Sequence, residues 1–215
     1  MTVKTFITKQ NFVELLRRHE IGNLISVNPI KQGTVQTNYR LQTTYGDFVF
    51  RYYENRSRES VLFESDLLCY LHQHNYPSPE LMQSSDGNYV ETYLDKPFTI
   101  SKYITGKTLT HPSSNHRKQL IQTAAELQIL GRDFNSPYKD FRWNYTALLC
   151  HDLGRAEAEK IGSKASSQKL DWLKNELSRL ELPESHPKGV CHGDFHFSNV
   201  LFQDDQLIAL IDFDD

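Results

Sequence analysis

The sequence predicts an α+β protein of two lobes, in which an antiparallel sheet forms the N-terminal lobe and helices form most of the C-terminal lobe. The first observation is a series of short apolar segments, separated by turn residues, that fills about the first hundred residues around one helical segment. The second is that apolar residues at helical spacing dominate the segments that follow. Strands followed by helices are typical of α+β folds.

The N-terminal lobe is predicted to open with one helix and a meander of three strands. Thr8 is suited to cap a helix that ends at about His19, because apolar residues recur at helical spacing after it. Turn residues around Gly33 and Gly46 separate the strands that follow. The strands are predicted at Ile25–Ile30, Asn38–Thr43 and Phe48–Tyr53.

A second helix and further strands complete the predicted lobe. The helix runs from Arg58 to His74, and the Pro77–Pro79 segment blocks its continuation. Its buried face is predicted to carry Leu62, Phe63, Leu67, Leu68 and Leu71. The strands are predicted at Leu81–Gln83, Tyr89–Tyr93 and Phe98–Ile104.

The C-terminal lobe is predicted to contain two helical segments and two short strands. The first helix spans Asn115 to about Gly131. The second segment, Arg155–Leu182, is one long helix or a broken one, because Ser163–Ser167 weakens its middle. Its predicted core-facing residues are Trp172, Leu173, Leu177 and Leu180. The strands are predicted at Val200–Phe202 and Leu207–Ile211.

Composition and charge narrow the classes of protein that the chain could represent. A chain of 215 residues with 38% hydrophobic and 24% charged residues fits one globular domain. The net charge of −3 provides no basic surface for nucleic acid or an anionic membrane, and no apolar segment approaches membrane-spanning length. Cys69, Cys150 and Cys191 do not have the spacing of a metal site or a disulfide framework. We expect a soluble cytoplasmic protein that binds neither nucleic acid nor membrane.

The segment His192–Asn199 and the carboxylate of Asp212 form the most informative motif of the chain. Asp194 lies in a predicted loop, Asn199 follows it, and two short apolar segments lead to Asp212. Transfer of a γ-phosphoryl group requires a carboxylate near the acceptor hydroxyl and oxygen ligands for the Mg²⁺ ions that bridge the nucleotide phosphates. The motif supplies those groups. The alternative is that these are ordinary loop residues and that Gly193 simply marks a turn.

The motif resembles the catalytic and metal-binding loops of the aminoglycoside phosphotransferase and choline kinase superfamily. Its members are small-molecule kinases with a protein-kinase-like fold, so the resemblance implies that fold, ATP as co-substrate and Mg²⁺ as the metal. His-Gly-Asp and Asp-Phe-Asp stand where protein kinases have His-Arg-Asp and Asp-Phe-Gly. The resemblance implies Asp194 as the catalytic base and Asn199 and Asp212 as Mg²⁺ ligands. It also implies His192 as a loop scaffold, and His196 as a second scaffold residue or a phosphate contact.

The resemblance further implies a nucleotide site in the N-terminal lobe. The segment from Gly33 and Thr34 to Asn38 resembles the phosphate loop of small-molecule kinases, although its single glycine matches neither G-x-G-x-x-G nor Walker A. An ordinary hairpin is the alternative. Arg51 stands where most of the family has Lys, and an arginine can clamp phosphate bidentately. The alternative is an arginine on the solvated face of a strand.

Two further groups complete the implied nucleotide site. Glu64 fits the family's Glu-x-x-Leu-Leu pattern and would orient Arg51 through an ion pair, with Glu59 as the competitor. A glutamate on a solvated helix face is the alternative. The adenine would lie against the segment that joins the lobes, where Lys102 and Ile104 would offer backbone hydrogen bonds.

Motifs of the N-terminal lobe are similar to the kinase-like homoserine kinases, whereas His-Gly-Asp-Phe-His is closer to the general phosphotransferase pattern. The motifs are Gln36–Tyr39, Arg51–Glu54, Asn75–Pro79, Lys96–Phe98 and Gly131–Phe134. We expect ATP-dependent phosphorylation of a hydroxyl on a small molecule, either homoserine or an aminoglycoside or another metabolite. The alternative is a nucleotide-binding pseudokinase. The sequence does not determine the acceptor, the choice between ATP and GTP, or the oligomeric state.

The predicted organisation is one kinase-like domain over residues 1–215. Its N-terminal lobe covers about residues 1–104, a hinge lies at about 102–107, and a partial C-terminal lobe covers about 108–215. The chain ends at Asp215, shortly after Asp212, whereas the family continues into a helical segment that carries much of the acceptor site. We therefore expect a fragment with an incomplete C-terminal lobe rather than a shortened member of the family.

Overall fold

The computed structural model describes residues 4–31, 35–142, 146–180, 185–186 and 188–214. Two compact units form, the first from Met1–Arg142 with Gly189–Asp215 and the second from Trp143–Lys188. Sheet and helices both occur, so the α+β class is confirmed. The boundaries of the lobes and the hinge stay a prediction.

A five-stranded antiparallel sheet forms the N-terminal part of the first unit. Helix α1 (Lys9–Leu16) precedes it, and the Thr8 side chain accepts a hydrogen bond from the Asn11 N–H as the predicted cap. The strands are β1 (Leu24–Ile30), β2 (Thr37–Thr43), β3 (Gly46–Tyr52), β4 (Val90–Tyr93) and β5 (Lys96–Lys102). Their order is β1-β2-β3-β5-β4, and every neighbouring pair is antiparallel.

Strand β3 separates the apolar core of the sheet from a polar site. Phe50 and Tyr52 are fully buried in that core. Because successive side chains of a strand point to opposite faces, Arg51 lies on the other face. Its register partners are Asn38 on β2 and Thr99 on β5.

A second apolar cluster joins three parts of the first unit. Helix α2 (Arg58–Gln73) begins at its cap Ser57 and packs with α3 (Ser114–Asp133) and with the hairpin of β6 (Val200–Gln203) and β7 (Gln206–Leu210). From α2 the cluster takes four of the five predicted residues, namely Phe63, Leu67, Leu68 and Leu71. The fifth, Leu62, packs on a smaller separate cluster.

Close backbone approaches hold the segment between α3 and β6. A Cβ atom on Gly131 would lie 3.0 Å from the Val190 carbonyl oxygen, and the Val190 N–H donates to the Gly131 oxygen at 3.2 Å. Lys107 and Phe202 exchange two backbone hydrogen bonds of 3.0 and 2.9 Å. The residues between Val190 and β6 are therefore anchored at both ends.

The second unit is a helical hairpin of α4 (Ala147–Ile161) and α5 (Lys164–Ser178). The break lies at Gly162, which takes a left-handed φ of 63°, and Ser163 caps α5. The broken form of the predicted helix is therefore the observed one. Its predicted start at Arg155 is wrong, because Thr146 caps α4 well before it.

Two residues of the predicted helical segment, Trp172 in α5 and Leu180 just after it, do not face a core as predicted. Trp172 and Leu180 are 63% and 53% exposed. A side chain on Gly154 of α4 would meet Leu173 and Leu170 of α5, so the two helices contact each other at those leucines. When two helices pack only against each other, each buries one narrow stripe of side chains. Trp172 lies outside the buried stripe of α5.

One smaller expectation also fails. The predicted strand Leu81–Gln83 forms only an isolated bridge between Leu81 and Ser101. No helix among the described residues is long and apolar enough to cross a membrane.

Candidate active site

The loop before β6 brings Asp194 and Asn199 together. Gly193 takes a left-handed φ of 81°, which turns the chain sharply before Asp194. The Asn199 Nδ2 donates to the Asp194 backbone oxygen at 2.9 Å and to its Oδ2 at 2.8 Å. Because only the amide nitrogen can donate to two oxygen acceptors, the Asn199 Oδ1 lies on the other side of the amide, and no residue of the described ranges donates to it.

Two hydrogen bonds join this loop to the segment that carries Asp212. The Ile211 N–H donates to the Asn199 backbone oxygen at 2.8 Å, and the His192 Nε2 donates to the Ile211 oxygen at 2.9 Å. A carbonyl only accepts, so the second bond places a proton on the His192 Nε2. Asp212 follows at a φ of 72°, a left-handed conformation that aspartate tolerates better than most residues. Asn199 and Asp212, the predicted Mg²⁺ ligands, thus lie on adjacent segments.

The two histidines of the motif have different surroundings. His192 is buried, and its ring centroid lies 4.7 Å from that of Phe213. His196 is exposed, and its Nδ1 accepts a hydrogen bond from the Ser198 N–H at 3.3 Å. This bond caps a short 3₁₀ turn, Phe197–Asn199. Both geometries suit scaffold residues, and a phosphate contact by His196 stays a prediction.

Arg51 pairs with two carboxylates in the segment after β7. Its Nη2 lies 2.6 Å from the Asp212 Oδ1 and 2.8 Å from the Asp214 Oδ1. The side chain is mostly buried, so Arg51 is not an arginine on a solvated strand face. Its Nε is buried without a hydrogen-bond partner among the described residues, and Arg51 therefore retains a donor for a further group.

Asp214 belongs to this site although the sequence pattern did not single it out. Its Oδ2 accepts a hydrogen bond from the Gln36 Nε2 at 2.7 Å, and the Arg56 Nε lies 3.8 Å from the same oxygen. The side chain of Asp214 is 8% exposed, whereas that of Asp212 is 41% exposed. The available signal was the position of Asp214, which stands where Asp-Phe-Gly of protein kinases has glycine.

The shared guanidinium makes the two carboxylates unequal. Burial acts to raise the pKa of Asp214, but the charge of Arg51 and the hydrogen bond from Gln36 hold that pKa well below its ordinary value. Burial raises the pKa of Asp212, and the charge of Asp214 adds to this effect against the opposing charge of Arg51. Asp214 is therefore the firm counter-ion of Arg51, and Asp212 is the carboxylate that a second cation can recruit more readily.

Glu64 does not form the ion pair with Arg51 that the sequence predicted. Within the described residues, Arg51 pairs with Asp212 and Asp214 alone, and the Glu64 Oε2 is buried without a hydrogen-bond partner. Burial raises the pKa of Glu64 to about 7, although the charge of Arg51 opposes this rise. The Arg51 Nη2 is directed to Asp212 and Asp214 rather than to Glu64.

The predicted phosphate loop is only partly described. Gly33 and Thr34 lie outside the described residues. Asn38 is the β2 register partner of Arg51, and its Oδ1 is buried without a hydrogen-bond partner in the described part of the chain. Asn38 and Arg51 therefore bring an amide and a guanidinium to neighbouring positions of the sheet.

The predicted adenine segment has one backbone donor to offer. The Lys102 N–H donates to the Glu80 oxygen at 2.9 Å, and the Lys102 Nζ lies 2.7 Å from the Glu80 Oε2. The Tyr103 N–H donates to the Asp47 oxygen at 2.9 Å. Among residues 102–104, the described contacts leave the Ile104 N–H without a hydrogen-bond partner, so this N–H is a donor that the segment can offer to a ligand.

The donor set suits Mg²⁺ held jointly with a nucleotide. The Asp212 carboxylate and the Asn199 Oδ1 are hard oxygen ligands, and Mg²⁺ usually takes one or two protein ligands beside substrate phosphates and water. No cluster of three or more His, Cys, Asp or Glu side chains suited to a metal occurs in the part of the chain that the structure describes. The residues present therefore fit Mg²⁺ bound with phosphate and do not form a closed metal cage.

Comparison with known sequences identifies relatives over nearly the whole chain. The sequence model of a family described as "Phosphotransferase enzyme family" matches residues 26–215. The chain is 29% identical to the homoserine kinase of Nitrobacter winogradskyi over 99% of this chain and 65% of that protein. It is 30% identical to the homoserine kinase of Rhodospirillum rubrum, again over 99% of this chain and 66% of that protein. The chain thus spans 65% to 66% of the length of these two relatives.

Comparison with solved structures identifies the same fold in small-molecule kinases. The amicoumacin kinase hAmiN, solved with AMP-PNP, Ca²⁺ and Ami, aligns with a TM-score of 0.75 and 16% identity, covering 97% of this chain and 64% of that chain. Spectinomycin phosphotransferase APH(9)-Ia, solved with ADP and spectinomycin, aligns with a TM-score of 0.71 and 15% identity, covering 98% and 70%. At such identities the likeness establishes the fold alone.

Proposed function

Because the chain belongs to the phosphotransferase enzyme family, we propose that it binds ATP with Mg²⁺ and transfers the γ-phosphoryl group to a hydroxyl of a small molecule. The observation that carries this proposal is that Asp212 forms an ion pair with Arg51, while its neighbour Ile211 is hydrogen-bonded to Asn199. A guanidinium suits phosphate, and carboxylate and amide oxygens suit a phosphate-bound Mg²⁺.

Each group has a proposed part in the transfer. Asp212 and the Asn199 Oδ1 would hold Mg²⁺, which when bound would neutralise charge on the phosphates. Arg51 contacts the phosphates through the donors that its carboxylate partners leave. Asp194, exposed and fixed by Asn199, accepts or orients the proton of the acceptor hydroxyl. Because the transition state is loose, positioning and charge neutralisation contribute more than proton abstraction.

The nucleotide is proposed to lie across β2, β3 and the segment after β5. Gly33, Thr34 and Asn38 are proposed to contact phosphates. The backbone of Lys102 and Ile104 is proposed to bind the adenine, with the Ile104 N–H as the donor that the fold leaves available.

Homoserine is the acceptor that we propose first. The sequence relatives named as homoserine kinases align with nearly the whole of this chain at 29% and 30% identity. The structural relatives named for antibiotics align at 15% and 16% identity, which bears on the fold and leaves the acceptor open. We propose the cytoplasm as the compartment, since ATP is available there and Cys69, Cys150 and Cys191 are free thiols.

The first test is calorimetric titration of the chain with AMP-PNP, with and without Mg²⁺. Binding that requires Mg²⁺ supports the proposal, and the same affinity without the metal contradicts the assignment of Asn199 and Asp212. Coupled ADP release is then measured with homoserine and spectinomycin as acceptors. Release with homoserine supports the proposed acceptor. Mg²⁺-dependent binding without transfer to either acceptor supports the alternative of a nucleotide-binding pseudokinase.

A further inference from the structure

Asp214 is fixed on both of its carboxylate oxygens. Its Oδ1 lies 2.8 Å from the Arg51 Nη2, and its Oδ2 accepts from the Gln36 Nε2 at 2.7 Å. The Arg56 Nε lies 3.8 Å from the same Oδ2. The side chain is nearly inaccessible to solvent. Asp214 therefore cannot rotate without breaking a buried charged contact, and it holds one end of the Arg51 guanidinium in place.

Gln36 is itself held by the segment that follows β3, the strand that carries Arg51. Its Oε1 accepts a hydrogen bond from the Glu54 N–H at 2.8 Å, and its Nε2 also donates to the Asn55 Oδ1 at 3.2 Å. Glu54 lies shortly after the end of β3, and Gln36 directly precedes β2. The contact between Gln36 and Asp214 thus ties the entry of β2, the end of β3 and the segment of Asp212 into one buried network.

The other two carboxylates near Arg51 are less suited to hold it. Asp212 is 41% exposed and has the ligand chemistry of a metal site, so Mg²⁺ would compete with Arg51 for it. Glu64 is buried but forms no ion pair with Arg51 among the described residues. When a metal takes Asp212, Asp214 is the carboxylate that stays with Arg51.

We propose that Asp214 is the residue that positions Arg51 toward the nucleotide phosphates, the role that the sequence pattern assigned to Glu64. The inference rests on the proposed function and adds a positioning residue to it. Asp214 touches neither nucleotide nor metal in this proposal and acts through Arg51.

The test compares Asp214→Asn with Glu64→Gln by calorimetric titration with Mg·AMP-PNP and with adenosine. Asp214→Asn keeps the shape and removes the charge, so Mg·AMP-PNP should bind about tenfold more weakly or worse, the effect of losing a hydrogen bond to a charged group. Adenosine carries no phosphate, and its affinity should change less than about twofold. Glu64→Gln should weaken Mg·AMP-PNP binding less than Asp214→Asn does. The matched control is Asp205→Asn, whose side chain is 85% exposed and accepts from His116.

A double-mutant cycle separates positioning from a general structural role. In an Arg51→Ala background, Asp214→Asn should have little further effect on Mg·AMP-PNP affinity, because the group through which it acts is gone. An undiminished effect in that background, or an equal loss of adenosine binding, overturns the proposal. So does a larger loss from Glu64→Gln than from Asp214→Asn.

A crystal structure of the parent chain with Mg²⁺ and AMP-PNP tests the same point without a variant that could misfold. The expected result is Arg51 within hydrogen-bond distance of both Asp214 and a phosphate oxygen. An Arg51 that has left Asp214 for Glu64 overturns the inference. A parent chain that fails to bind Mg·AMP-PNP contradicts the proposed function itself, whereas normal binding by Asp214→Asn contradicts only the role of Asp214.

Discussion

Asp212 and Asp214 stand two residues apart and share one nitrogen of Arg51, yet their environments differ. Asp214 is buried against Gln36, whereas Asp212 is partly exposed on a left-handed turn. Removing a buried carboxylate from its cation leaves an uncompensated charge in a low dielectric, which costs more than the same loss near water. Exchange of partners during nucleotide binding should therefore occur at Asp212.

The first prediction separates the carboxylates of the catalytic and metal segments. Asp212→Ala should abolish the Mg²⁺ dependence of AMP-PNP binding, because it removes a metal ligand. Asp194→Asn should change nucleotide affinity less than about twofold and reduce turnover by about 10²-fold or more, the usual contribution of a positioned base. Calorimetry and coupled ADP release measure the two effects.

The control for this pair is Asp204→Asn, on the exposed turn between β6 and β7, which should leave both quantities unchanged. Interchangeable effects of Asp212→Ala and Asp194→Asn on nucleotide affinity would show that the division of roles is wrong.

The second prediction concerns how Glu64 makes the free energy of unfolding depend on pH. Burial raises the pKa of Glu64 from an ordinary 4.5 to about 7. Between these values the folded chain binds more protons at this site than the unfolded chain, so the free energy of unfolding falls as pH rises from 4.5 to 7. The charged or polar groups near Glu64 are Arg51, Asp214, Arg142 and Tyr53.

Glu64→Gln should remove this pH dependence, because glutamine stays neutral. The variant should match the parent near pH 5 and exceed its stability by up to about 3 kcal/mol near pH 8. Urea denaturation at a series of pH values measures the difference, with the exposed Glu126→Gln as control. A gap that stays constant with pH, or that narrows toward pH 8, would contradict the prediction.

At the scale of elements, local patterns predicted most of the N-terminal strands and helices. Alternation in β3 and the cap at Thr8 are encoded within a few residues, and the structure contains both. Apolar periodicity alone does not reveal the start of α4, whereas the cap at Thr146 marks it.

The role of Asp214 could not be predicted at this scale. Its contacts to Gln36 and Arg51 join residues that are far apart in sequence, and no local spacing encodes such a contact. Glu64 satisfied the family pattern, and only the tertiary packing placed another carboxylate on Arg51.

The third prediction tests the contact that anchors the proposed catalytic loop, residues 192–199. A Cβ on Gly131 would meet backbone atoms of Val190 at 3.0 and 3.2 Å, so Gly131→Ala should displace the chain that enters the loop. We expect a local loss of about 1 kcal/mol or more, as for other overpacked sites. Hydrogen exchange of the amides at residues 190–199 measures it.

A second helical glycine provides the matched control. A Cβ on Gly154 would approach the flexible side-chain atoms Leu173 Cδ2 at 2.7 Å and Leu170 Cδ1 at 3.8 Å, so Gly154→Ala should leave exchange at residues 190–199 unchanged. Equal exchange in Gly131→Ala and the parent would show that the Val190 segment can move away freely.

At the scale of the whole molecule, the described site residues come from sequence segments that are far apart but belong to one unit. Arg51, Ile104, Asp194 and Asp212 all lie within Met1–Arg142 or Gly189–Asp215. The sequence predicted this assembly through the order of its motifs, since strands, joining segment, catalytic loop and metal loop follow one another as in the family. The register and the ion pairs that bring them together depend on the complete fold.

The last prediction follows from the position of these separate sequence segments in one unit. A ligand that binds only the folded chain stabilises it by about 2.7 kcal/mol at a concentration of 100 times Kd. Mg·AMP-PNP at that excess should therefore slow hydrogen exchange together in three separate segments, namely β2 and β3, residues 102–107, and residues 192–214. AMP-PNP without Mg²⁺ should protect the third segment much less, because Asn199 and Asp212 act there through the metal. Adenosine serves as the control and should protect residues 102–107 alone, since it carries the ring without the phosphates. Protection of one segment without the others would mean that the nucleotide does not bridge the sheet and the metal loop, and the proposed site would be wrong at the level of the molecule.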